Sequence, residues 1–177
     1  MAGIDDILEQ LPIDDIASRL GVDPGTARAA VLEGGQTILT GLHKETETPE
    51  GKAALANALT KHAGEKRVAS AADIDEEDGR GILGHVFGGR QDEVAARLGA
   101  SSSTGGGIDF GKLLPMLAPI IMNYIANRKS SGQAAGDDGG PDIGDLLGGI
   151  LGGGSSKGSG IDLGGIGDLL GGLFGKK

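Results

Sequence analysis

Apolar residues recur three and four positions apart through the first 129 residues, and strict alternation is absent. That pattern predicts helices and no strands. "IDDILEQL" puts Ile4, Ile7, Leu8 and Leu11 on one face, and "IDDIASRL" does the same with Ile13, Ile16, Ala17 and Leu20. Gly21 is expected to stop the second of these helices. Asp23-Pro24 reads as an N-cap followed by proline at the first helical position, where the missing N–H costs nothing. The next helix turns Ala27, Ala30 and Val31 inward, and "EGG" at Glu33 to Gly35 is expected to break it before "QTILTGLHKE". Thr48-Pro49 repeats the cap and opens "PEGKAALANALTKHAG".

The charged stretch that follows, as far as Asp78, is expected as a surface loop. "GILGHVFGG", Gly81 to Gly89, reads as a short helix closed by a glycine pair, and "RQDEVAARLGA" as a helix ending at Gly99. "SSSTGGG" is a connector. Asp109 is placed to cap "FGKLLPMLAPIIMNYIANRK", the most apolar helix of the chain, which is expected to run through the middle of the bundle. Pro115 and Pro119, one turn apart, predict a bend or a delayed start.

Beyond Lys129 the pattern changes. "SSGQAAGDDGGP" reads as a linker, and "IGDLLGGIL" (Ile143 to Leu151) returns as "IGDLLGGLF" (Ile166 to Phe174). The chain is therefore expected to divide into a helical domain, 1–129, and a flexible tail rich in glycine and leucine, 130–177. An Asp near the start of each copy suits the positive end of a short helix, and Lys176-Lys177 suits the negative end of the second. Each glycine costs a helix roughly 1 kcal/mol against alanine. Isolated helices shorter than about 12 residues are marginal, so neither copy is expected to be stable alone.

Composition sharpens this division. Among 177 residues there are 36 glycines, and 18 of them lie from Ser130 onward. The apolar share is mostly Ala, Leu and Ile, with one Tyr, three Phe and no Trp, which suits closely packed helices better than a sandwich of strands. The net charge is −9, divided −6 and −3 between the two parts. Neither part has the positive excess that phosphate backbones or anionic lipid surfaces attract, so nucleic-acid and membrane partners are disfavoured. With no cysteine, disulfides, thiol catalysis and cysteine-ligated metals are excluded. The acidic start "MAGIDDILEQLP" lacks the positive charge of a secretory signal, so a cytoplasmic protein is expected. "LLPMLAPIIM", the longest apolar run, is shorter than the roughly 20 residues a bilayer span requires.

The candidate chemistry is sparse. Ile13 to Leu32 has the layout of a helix-turn-helix, with Ala17, Gly21 and Val22 where that motif wants a small residue, a turn glycine and an apolar one. These are also the needs of any tight helical corner. Base reading needs donors and acceptors on the outward face of the second helix. That face carries Asp23, Pro24, Gly25, Arg28, Ala29 and Leu32, with Arg28 its only cation. The structural corner is the preferred reading, and DNA binding through Asp23 to Leu32 the alternative.

"GRGILG" matches G-x-G-x-x-G but follows "ADIDEED" where a dinucleotide site needs a hydrophobic strand. "DIDEEDG" from Asp73 has its glycine one place late for a calcium loop, and Gly84 where the bidentate Glu belongs. His43, His62 and His85 show no metal-binding spacing. Of the three, His85 is expected to be the buried, hydrogen-bonded one. Ser101 to Ser103 have no neighbouring base. No catalytic, cofactor or metal site is expected.

"LPIDDIASRLGVDPGTARAAV", "ILGHVFGGRQDEVAARLGA" and "LLPMLAPIIMNYI", in that order, resemble the YidB-like bacterial proteins, a domain of unknown function. The resemblance covers Leu11 to about Asn127 and implies an all-helical, multi-helix fold in a bacterial cytoplasmic protein, with no established activity to carry over. Within "ILGHVFGG", Gly84, Gly88 and Gly89 are expected to allow close helix approach around Ile82, Leu83, Val86 and Phe87. The expected function is non-enzymatic binding of protein, including self-association. The repeated tail segments would dock in apolar grooves through Leu146, Leu147, Ile150, Leu151, Leu169, Leu170, Leu173 and Phe174. Two further readings of the tail are disordered low-complexity sequence and weak membrane-surface contact through Leu173, Phe174 and the two lysines.

Overall fold

Fourteen consecutive residues of one helix, Leu113 to Ala126, are buried on every side, so the rest of the molecule is built around them. The computed structural model describes residues 4–64, 70–101, 107–130 and 143–152. In chain order these form α1 (Ile4–Gln10), α2 (Ile13–Leu20), α3 (Pro24–Glu45), α4 (Pro49–His62), a single 3-10 turn (Ala71–Asp73), α5 (Glu76–Val86), α6 (Gln91–Ser101), α7 (Phe110–Ser130) and α8 (Ile143–Gly152). No strand occurs among the described residues. The central helix is α7, wrapped by α2, α3, α4, α5 and α6; α1 lies against α3, and α8 against α3 and α4. A helix apolar all round is a buried helix, and here the apolar sequence and the central position agree.

The helix starts follow the expected caps. Asp23 accepts a hydrogen bond from the Thr26 N–H at 3.0 Å, Thr48 from the Gly51 N–H at 3.1 Å, and Asp109 from the Lys112 N–H at 3.3 Å. Gly21 ends α2 in the left-handed conformation, φ 70°. After α5, Gly88 and Gly89 both take positive φ, 59° and 81°, a backbone that favours glycine.

Several boundaries differ from the sequence reading. Glu33–Gly35 do not break α3, which runs unbroken for 22 residues. A Cβ at Gly34 would come within 3.2 Å of Leu114 and Leu117, and one at Gly35 within 3.1 Å of Ile4. The two glycines let α7 and α1 close on α3, and the packing outweighs a helix penalty of about 1 kcal/mol per glycine. The charged stretch ending at Asp78 is not all loop. Asp75 accepts from the N–H groups of Glu77 and Asp78 at 3.1 and 3.0 Å, and α5 starts at Glu76. Gly99 does not end α6, which continues to Ser101. Nor is the start of α7 delayed: the helix begins directly after Asp109 and contains both prolines.

The close-approach glycines are also not the ones expected. Nothing lies within 4 Å of a Cβ at Gly88 or Gly89, and only the Gln91 side chain, at 4.0 Å, at Gly84. Tight crossings occur instead at Gly41, where a Cβ would stand 2.6 Å from Val86, and at Gly79, 1.9 Å from the Pro115 carbonyl oxygen. Pro119 explains the second. Lacking an N–H, it cannot take up the carbonyl four residues back, that of Pro115. The Cα of Gly79 fills that opening, as a Cα–H facing an oxygen.

Candidate docking site

The most distinctive feature on the outside of the bundle is the seat of α8. Its ten residues, IGDLLGGILG, include four glycines, yet they form a helix because Ile143, Leu147 and Ile150 are buried at 8, 0 and 4% exposure. The spacing i, i+4, i+7 puts all three on one face, and that face rests on α3 and α4. Each fully buried aliphatic side chain contributes roughly 1.5–3 kcal/mol. Leu146 and Leu151 are half-buried and pack on the same core, while Asp145, Gly149 and Gly152 face outward.

Beneath the helix lies His43. A Cβ at Gly148 would stand 4.0 Å from its Cε1, an ordinary van der Waals distance. The Nδ1 of His43 is buried and has no hydrogen-bond partner among the described residues.

Of the eight tail anchors expected from sequence, Leu147 and Ile150 are buried and Leu146 and Leu151 half-buried. Leu169, Leu170, Leu173 and Phe174 lie outside the described residues. Ile143 belongs with the buried anchors and was missed. Its place at i−4 from Leu147 is the signal that could have found it.

A second concavity opens between α4 and α5, with a volume of about 380 Å³. Leu55, Ile82, Val86 and Met122 make its apolar walls, and Glu45, Lys61 and His85 also line it. At its floor His62, not His85, is the buried histidine: His62 is 6% exposed and His85 faces solvent. The Nε2 of His62 lies 3.4 Å from Asp78 Oδ2, and its carbonyl accepts from the Asn123 side-chain amide at 3.5 Å. His62 sits in the last turn of α4, where a cationic or polar donor suits the free carbonyls. Asp78 was read as loop, so no sequence signal joined the two. No serine, threonine or cysteine is among the residues that line the cleft.

At the α2–α3 corner, Pro24, Gly25, Arg28 and Ala29 are exposed and Leu32 is half-buried. The hydrogen bonds from the Thr26 hydroxyl and N–H hold the Asp23 carboxyl below its usual range. A carboxylate therefore occupies the positive N-terminal end of α3, where a phosphate would otherwise sit. Arg19, on α2, pairs with Glu76 at 2.6 Å. Among the described residues no group of three His, Asp or Glu side chains could hold a metal ion, and no helix is long and apolar enough to cross a membrane.

Compared with known proteins, residues 4–128 match the family model described as "Bacterial protein of unknown function (DUF937)". No curated protein and no solved structure matches the chain. The matched stretch takes in α1 to nearly the end of α7 and stops short of α8.

Proposed function

The chain belongs to the YidB-like bacterial family of unknown function, and on that premise we propose that it is a non-enzymatic docking protein. Its working surface is the groove on α3 and α4, which accepts short aliphatic helices of the kind its own tail carries. One observation supports this above the others. A helix with four glycines in ten residues is seated on that groove by Ile143, Leu147 and Ile150. A segment so poor in intrinsic helix propensity gains its order from the surface it covers. The partner is a protein, either another chain with such a segment or a second copy of this one. The reading assigns no turnover and no cofactor.

The test uses the full chain carrying Leu147→Asp and Leu170→Asp together, so that both tail segments lose their central anchor. A fluorescently labelled peptide of the sequence Ile143 to Gly152 is titrated in and followed by anisotropy. Saturable binding is expected, and the same peptide carrying Leu147→Asp should not bind. Absence of binding by the intact peptide would overturn the groove as a docking site. Sedimentation of the unaltered chain over a concentration series then distinguishes a second copy from a foreign partner.

A further inference from the structure

We propose that the two tail segments are alternative occupants of the single α3–α4 groove, so that removing the first brings in the second. This rests on the docking reading above and adds to it a rule of occupancy. The segment at 166–174 repeats the seated one at an offset of 23 residues, with identity from Ile143 through Gly149. Mapped through that offset, buried Ile143 corresponds to Ile166, Leu147 to Leu170, and Ile150 to Leu173. The three side chains that hold the helix down are thus Ile, Leu and an Ile/Leu exchange. Gly148, at which a Cβ would stand 4.0 Å from His43, corresponds to Gly171, so this position over the imidazole is glycine in both copies. Half-buried Leu151 becomes Phe174 and outward Asp145 becomes Asp168. Nothing in the second copy is foreign to the seat.

Tether length ranks the two. Twelve residues separate Ser130 from Ile143, and 35 separate it from Ile166. The longer connection reaches wherever the shorter one does. Local concentration falls roughly as the −3/2 power of length, which leaves the second copy at a disadvantage of about fivefold. The Ile-to-Leu change at the third anchor adds less than about tenfold. The first copy therefore holds the groove, and the second is a reserve that fills it when the first is withdrawn. An incoming partner has to displace both, which guards the groove against weak or accidental ligands.

Amide hydrogen exchange on full-length variants tests this. In the unaltered chain, protection is expected over 143–152. With Leu147→Asp, protection should move to 166–174. With Leu170→Asp alone it should stay over 143–152, and with both substitutions it should vanish from both. If Leu147→Asp leaves 166–174 as unprotected as the double variant does, the reserve role is overturned. A second measurement separates this outcome from failure of the groove itself. The double variant should bind the free 143–152 peptide and the free 166–175 peptide, which carry no tether, with affinities within about tenfold of each other. Capture of the first peptide but not the second overturns the interchange while leaving the docking site standing.

Discussion

Gly79 and Gly81 sit two residues apart in α5, and alanine at each is expected to change stability in opposite directions. At Gly79 an added Cβ would lie 1.9 Å from the Pro115 carbonyl oxygen and 2.8 Å from its carbon. An ordinary carbon–oxygen approach is about 3.3 Å, so α5 would have to retreat by about 1.4 Å. The obstacle is backbone in the most buried helix of the protein and cannot swing aside. Overpacking of this kind costs about 1–3 kcal/mol or more, against a gain of about 1 kcal/mol from replacing a helical glycine. At Gly81 nothing lies within 4 Å, so only the gain applies. Thermal unfolding followed by far-UV circular dichroism measures both. For a chain of this size about 1 kcal/mol moves Tm by about 2–4 °C. Gly81→Ala should rise by up to that amount, and Gly79→Ala should fall, by about 4–8 °C where overpacking costs about 3 kcal/mol. If Gly79→Ala melts at or above Gly81→Ala, the account of the α5–α7 crossing is wrong.

Gly51→Ala carries a similar expectation, since its Cβ would stand 2.1 Å from the Glu45 carbonyl oxygen; a loss of about 1–3 kcal/mol in urea unfolding is expected, and an unchanged midpoint would refute it. Burial raises the Glu33 carboxyl above its ordinary value, and its Oε2 is buried without a hydrogen-bond partner among the described residues. A raised folded pKa means the native state binds the proton more tightly than the unfolded chain, so the charged form is a burden that lifts as pH falls through that value. Glu33→Gln should therefore raise Tm at about pH 7 and lose most of that advantage near pH 4; an advantage that grows on acidification would refute the sign. Random duplex DNA at low salt should give no mobility shift, because Asp23 holds the N-terminus of α3 and Arg28 is the cation of its outward face. A shift that disappears in Arg28→Ala would overturn this and make the corner a DNA reader.

What the sequence disclosed and what it hid divide along physical lines. The caps at Asp23, Thr48 and Asp109 were legible because each is a local exchange between one side chain and an N–H three residues on. The central position of α7 was legible from its unbroken apolar content. Hidden were effects that depend on a partner distant in the chain. Gly34 and Gly35 look like a helix break until Leu114, Leu117 and Ile4 are placed against them. Gly79 looks like a stray fingerprint glycine until Pro119 leaves the Pro115 carbonyl open. His62 and Asp78 meet only because α4 and α5 are both drawn onto α7. At the docking site Leu147 and Ile150 were legible from the repeat, while the α3–α4 surface that receives them has no local signature.

Glycine carries opposite duties in the body of this protein, α1 to α7, and in the tail helix α8. In the body, Gly34, Gly35, Gly41 and Gly79 cost helix propensity but return it through close backbone approach, which brings small aliphatic side chains into dense contact where large rings would otherwise fill space. Those helices are fixed by each other. In the tail, Gly149 and Gly152 have no such return, because a Cβ at either would meet nothing within 4 Å. There the glycines only weaken the helix. A tail segment built from good helix formers would hold its shape off the groove and pay no ordering cost on binding, so it would be hard to displace. The segment here is held mainly by its three buried anchors, Ile143, Leu147 and Ile150, and losing one of them should release it.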